Sequence, residues 1–155
     1  MPRSRHQKIA CRCATLISAI AFGVGAAAAE QDIVTQRQQL MNESERHGAI
    51  LVQIVARRRP FDAAAIDAAF AQWAETARKL PDLFPENAKG GLSSRAAAKI
   101  WLYKNDFAAK TAALAQAVRE NRDKAKSSLK ALGAAVAGVG RACDNCHKEY
   151  RLSKR

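Results

Sequence analysis

Five residues near the C-terminus, Cys143-Asp144-Asn145-Cys146-His147, carry the densest chemistry in this 155-residue chain. Thiols at i and i+3 share one face of a helix, and an imidazole follows the second directly. This is the spacing of c-type haem attachment, in which each thiol adds to one of the two vinyl groups and the histidine offers a ring nitrogen to the iron. The other ring nitrogen is left for a partner that fixes the tautomer. Three rival readings compete for the same residues. A thioredoxin-like dithiol needs a βαβ setting, and no strand-like alternation occurs. A zinc site needs four ligands and would have to recruit the distant His47 beside Cys143, Cys146 and His147. A haem-free helical bundle that binds a partner would leave the cysteines incidental. The expectation is one haem c per chain, thioether-linked to Cys143 and Cys146, with His147 as an axial iron ligand.

The other two cysteines, Cys11 and Cys13, fall in a segment that reads as a leader. Arg3, Arg5, Lys8 and Arg12 form a basic start without acids, Ala14 to Val24 is apolar, and Ala27-Ala28-Ala29 resembles a cleavage site before Glu30. The apolar run is shorter than the roughly 18–20 residues of a membrane-spanning helix. Residues 1–29 are therefore expected to be a cleaved signal peptide and 30–155 the mature domain, exported to the periplasm with no span of its own. Four cations and no acid leave with the leader, so the formal charge falls from +12 to +8. An exported disulfide scaffold would use several widely spaced cysteines, and the mature chain has only one close pair. Nucleic acid is not expected as a partner, because no aromatic-interleaved basic patch is present. The run Arg57-Arg58-Arg59 reads as a helix C-terminus, where cations complement the dipole.

Four amphipathic patterns must position the site. The first spans about 32–58, with Ile33, Arg37, Leu40, Met41, Ser44, Gly48, Leu51, Val52 and Val55 on one stripe. The second opens on Asp62 as N-cap, carries Ile66, Ala69, Phe70, Trp73, Ala77 and Leu80, and closes before Pro81. A long connection follows, and Ser93 or Ser94 is expected to cap a third helix through Ile100, Trp101, Phe107, Leu114 and Val118. The fourth, after Asp123, sets Leu129, Leu132, Val136, Val139, Cys143, Cys146 and Tyr150 at steps of three and four. The pattern predicts an all-α, antiparallel up-down-up-down four-helix bundle. Its alanine-rich interior offers little apolar volume, which a bulky cofactor would supply.

Taken together, the mature chain resembles cytochrome c′ and its low-spin relatives. Arg37-Gln38-Gln39-Leu40-Met41 resembles that family's first-helix Arg-Gln segment. Leu83-Phe84-Pro85 resembles its interhelical turn, and Ile100-Trp101 its third-helix pair. Cys143 to His147 with Tyr150-Arg151 resembles its C-terminal signature. The connection at Gly90-Gly91 departs from the family's Gly-Thr. The resemblance implies that Arg37 and Gln38 lie at the haem edge near the propionates, that Ser94 and Arg95 belong to another haem-edge segment, and that Met41 faces the distal side of the iron. His47 reads as a solvated surface histidine. Met41 as second axial ligand would give a His/Met haem suited to electron transfer with periplasmic or membrane-bound redox partners. Met41 as simple packing would leave an open iron for nitric oxide or carbon monoxide. Neither reading is an enzyme. The resemblance also implies a homodimer through the first two helices.

Overall fold

The computed structural model describes residues 21–91 and 94–153. Its helices are α1 (Ala21–Val55), α2 (Ala63–Lys79), α3 (Lys99–Leu102), α4 (Lys104–Arg122) and α5 (Leu129–Tyr150), with 3-10 turns at Leu80–Leu83 and Lys124–Lys126. Helix α1 packs on α2 and α5, and α4 packs on the same two. The four long helices therefore close a ring in which sequence neighbours are antiparallel, the expected bundle. The first 20 residues of the expected leader, with Cys11 and Cys13, lie outside the described residues.

Helix α1 begins inside the expected leader and runs on through Ala26–Ala29, residues of the highest intrinsic helix propensity. Its seam follows a heptad: Val34, Arg37, Met41, Ser44, Gly48, Leu51 and Val55. Val34 and Ile54 take buried places that the sequence stripe had given to Ile33 and Val52, and Val52 is 55% exposed. Each assignment was one or two residues out of step, and each step rotates a side chain by about 100°. Gly48 is small for a reason, since a Cβ there would sit 3.2 Å from the Trp73 ring. The indole lies against α1 and donates from Nε1 to the Ser44 carbonyl at 3.1 Å. Beyond Val55 the chain turns through Arg57 at φ 58°, with Arg58 N–H bonded to Gln53 O and Arg57 N–H to Ile54 O. That is a Schellman stop with an arginine in the left-handed position usually held by glycine.

Asp62 caps α2 as expected, its Oδ1 accepting from the Ala64 and Ala65 N–H groups at 2.9 and 3.2 Å. The third helix differs from expectation. Ser93 lies outside the described residues, and Ser94 is not a cap: its Oγ accepts from Ala96 N–H at 3.1 Å, a local turn. The chain then runs extended beside the C-terminus and makes one antiparallel bridge, Ala96 to Arg151. Only at Lys99 does helix begin, and it breaks again at Tyr103 (φ −125°, ψ 54°) before α4. Helix α5 opens on Ser128, whose Oγ accepts from Ala131 N–H at 3.1 Å.

The interior divides into two clusters. One, toward the α1–α2 and α4–α5 connections, is filled by Leu51, Ile54, Ile66, Phe70, Leu132 and Val139 among others. The other joins Leu80, Ile100, Phe107 and Tyr150, with Met41, Phe84, Trp101 and Cys146 packed against it. The second lies at the end of the bundle that holds the cysteine motif.

Candidate functional site

Helix α5 sets the two thiols on the border between the clusters. Cys143 packs against the aliphatic cluster and Cys146 against the aromatic one. Both are free and half-buried. Burial, reinforced by Asp144 and Cys146, pushes the Cys143 thiol up to about 11, and burial raises that of Cys146. A thioredoxin-like redox pair or a zinc-thiolate site would be favoured by the opposite shift, toward thiolate. His147 follows on the same turn, also half-buried. Burial together with Arg151 and Arg95 holds its imidazole below the ordinary histidine range and outweighs Asp144, which favours the neutral form that binds iron. Among the described residues no group of three or more His, Cys, Asp and Glu converges as metal ligands. His47 faces Arg46 and Glu43 on α1 instead, and its side chain is partly buried rather than fully solvated.

A short strap steadies the motif from outside. Ala97 N–H donates to Tyr150 O at 3.0 Å and Leu152 N–H to Arg95 O at 2.8 Å. The Arg95 guanidinium returns two bonds to Leu152 O, at 3.0 and 2.8 Å. The Tyr150 hydroxyl donates to Asp106 at 2.5 Å and so ties α5 to α4. Sequence reasoning placed Ser94 and Arg95 at the site but missed this pairing, because the strap's partner is 57 residues away and no local periodicity signals it.

Arg37 is the buried cation of the site, only 5% exposed, not a residue of a solvated face. Its Nε donates to Leu83 O at 2.6 Å and its Nη2 to Ala88 O. The guanidinium lies 4.5 Å from the Phe84 ring centroid and 5.9 Å from that of Trp101. It therefore anchors the Leu83-Phe84-Pro85 turn to α1, while Trp101 Nε1 donates to Pro85 O at 3.0 Å from the far side. Burial lowers its pKa, and Glu30 opposes this. The third nitrogen, Nη1, is buried without a hydrogen-bond partner. Gln38, next along α1, is exposed. Met41 is one turn beyond Arg37 and joins the same aromatic cluster as Cys146.

The family model described as Cytochrome C′ matches residues 32–151, most of the chain. The chain belongs to the cytochrome c′ family. It is 35% identical over 144 residues to cytochrome c-556 of Rhodopseudomonas palustris, an alignment covering 90% of this chain and 96% of that protein. The solved cytochrome c′ from Rhodopseudomonas palustris superposes with a TM-score of 0.74 at 28% identity, covering 80% of this chain and 98% of that one. The nitric oxide complex of the L16I mutant of cytochrome c prime from Alcaligenes xylosoxidans does so with a TM-score of 0.66 at 26% identity, covering 80% and 97%.

Like the rest of its family, this cytochrome binds one covalent c-type haem per chain. The residues present fit that group. Two unpaired thiols sit three residues apart on an inward helix face, the aromatic cluster beside them is apolar, and the orphaned Nη1 of Arg37 is a buried donor in need of an anionic acceptor. A buried donor left unpaired costs about 1–3 kcal/mol, which a carboxylate of the bound group would recover.

Proposed function

We propose that this cytochrome is an exported, periplasmic one-electron carrier whose thioethers form at Cys143 and Cys146 and whose iron is held by His147 and Met41. When bound, haem supplies a ferric–ferrous couple. The chain's own residues set the terms for it. Neutral His147 is an anchored donor, positioned by the strap of 95–97 on 150–152. The thioether of Met41 is neutral and flexible, so it can approach a metal without backbone movement. Arg37 places a fixed positive charge in the site, and Phe84, Trp101 and Phe107 exclude water. The observation that carries the reading is the packing of Met41 into the cluster that also holds Cys146. The similarity to a cytochrome c-556 supports it.

The likeness to a nitric oxide complex favours a second reading, an open iron that takes nitric oxide or carbon monoxide. Absorption spectra of the oxidised and reduced protein decide between them. Electron transfer with Met41 bound predicts a low-spin wild type and a high-spin Met41→Ala that gains gas binding. Identical high-spin spectra in both, with rapid nitric oxide binding, would leave the gas reading standing. Cleavage near Ala29 and pairing of two chains through α1 and α2 belong to the same proposal, and mass spectrometry and sedimentation of the mature protein check them. No helix among the described residues is long and apolar enough to cross a membrane.

A further inference from the structure

The bundle end opposite the cysteine motif carries a feature that electron transfer does not use. Arg57, Arg58 and Arg59 leave α1 there, and Arg122, Lys124 and Lys130 converge on it from the α4–α5 connection. All six are exposed, and none forms an ion pair with a described residue. The acids at this end offset little of this charge. Asp67 is paired with Lys126 at 3.0 Å, and the three acids left, Asp62 (the α2 cap), Glu120 (bonded to Gln116) and Asp123, are outnumbered by the six cations. Phe61, 45% exposed, shares with Arg57, Arg58 and Arg59 the lining of an open cleft of about 410 Å³ that also includes Ile54 and Leu129.

We infer that this end docks on an anionic phospholipid surface. An exposed aromatic ring beside three arginines, at a helix-bundle end that carries three further exposed cations, is the chemistry of an interface that is apolar a few ångströms below a layer of phosphates. The ring would enter the boundary between headgroups and acyl chains while the guanidinium and ammonium groups stay with the phosphates. An acidic protein would need carboxylates in register with fixed partners. Here the cations are borne by turns and helix ends, their side chains without ion-pair partners among the described residues, and a lipid surface demands no register. The docked bundle would stand with its site away from the bilayer. Leu129 to Cys146 is 17 helical residues, about 25 Å.

Co-sedimentation of the haem-loaded protein with vesicles tests this, using phosphatidylcholine alone or with one-quarter phosphatidylglycerol, at low and near-physiological salt. Binding is expected to the anionic vesicles only, falling as salt rises. The triple variant Arg58→Gln, Arg59→Gln, Lys124→Gln should bind about a hundredfold more weakly, at roughly fivefold per charge removed. Phe61→Ser should weaken binding while keeping the wild-type salt dependence, and the pair Lys110→Gln, Lys148→Gln at the other end should not change it. Helical circular dichroism and the haem spectrum report that each variant is folded. Equal binding to neutral vesicles, or undiminished binding by the folded triple variant, would overturn the inference. So would retention on immobilised polyglutamate without vesicle binding, which would assign this end to an acidic protein.

Discussion

Replacing Arg37 by alanine removes two charged donors from the carbonyls of Leu83 and Ala88 and a cation from the face of Phe84. Hydrogen bonds from a charged group contribute about 1.5–3 kcal/mol each, and a desolvated cation–π contact about 2 kcal/mol. Against that loss, the variant no longer buries a charge, and it no longer leaves Nη1 unpaired, a penalty of about 1–3 kcal/mol. The balance is a destabilisation of about 2–4 kcal/mol, toward the upper end when bound haem gives Nη1 an acceptor. Arg37→Lys should recover only part of it, because one ammonium cannot span both carbonyls. Urea unfolding of the haem-loaded proteins measures the loss, and limited proteolysis should locate it in residues 83–91. The haem potential should also fall, since a nearby positive charge favours the more electron-rich ferrous state. A midpoint and a potential both unchanged within error would refute this, and would mean that the turn is held without Arg37.

Three further expectations concern other parts of the molecule. Gly90 has φ +85°, and a Cβ there would lie 2.6 Å from Val34 Cγ2 and 2.7 Å from Ser94 Cβ, so Gly90→Ala should cost about 2–4 kcal/mol in the same urea assay. Arg57→Gly relieves a left-handed arginine and should raise stability by about 0.5–1 kcal/mol, visible as a higher Tm. Glu75 is held at about 2 by hydrogen bonds from Arg78 and Lys79, well below its ordinary 4.5. Its folded value lies below its unfolded one, so its stabilisation is full above about pH 4.5 and is lost as pH falls toward 2. An NMR titration should show that midpoint, and Arg78→Gln with Lys79→Gln should return it toward 4.5.

What the sequence made legible was what local chemistry dictates. The three-residue spacing of Cys143 and Cys146 puts both thiols on one helix face, Asp62 is a cap written in one residue, and the alternating four- and three-residue steps from Arg37 to Met41, Ser44 and Gly48 follow from helix geometry. The errors came from tertiary structure. Ser94 reads as an N-cap on its own, but its segment is captured by the chain end at 150–152, and helix is postponed to Lys99. The break at Tyr103 has no glycine or proline to announce it. Val52 looks like core by type, and only the neighbouring helices decide that Val34 and Ile54 take the inside instead. That Arg37 clamps the Leu83–Ala88 turn from inside could not be read at all, because a sequence shows an arginine on a stripe and not the carbonyls 46 and 51 residues away that it satisfies.

Whether Met41 completes the iron site is read from the proton NMR spectrum of the reduced, haem-loaded protein. A methyl group held over the haem face lies in the strong shielding region of the ring. With Met41 on the iron, the wild type should show a three-proton resonance shifted far upfield of the ordinary methyl envelope, and Met41→Ala should lack it. A reduced wild-type spectrum with no such resonance, or with paramagnetic shifts of high-spin ferrous iron, would contradict Met41 ligation.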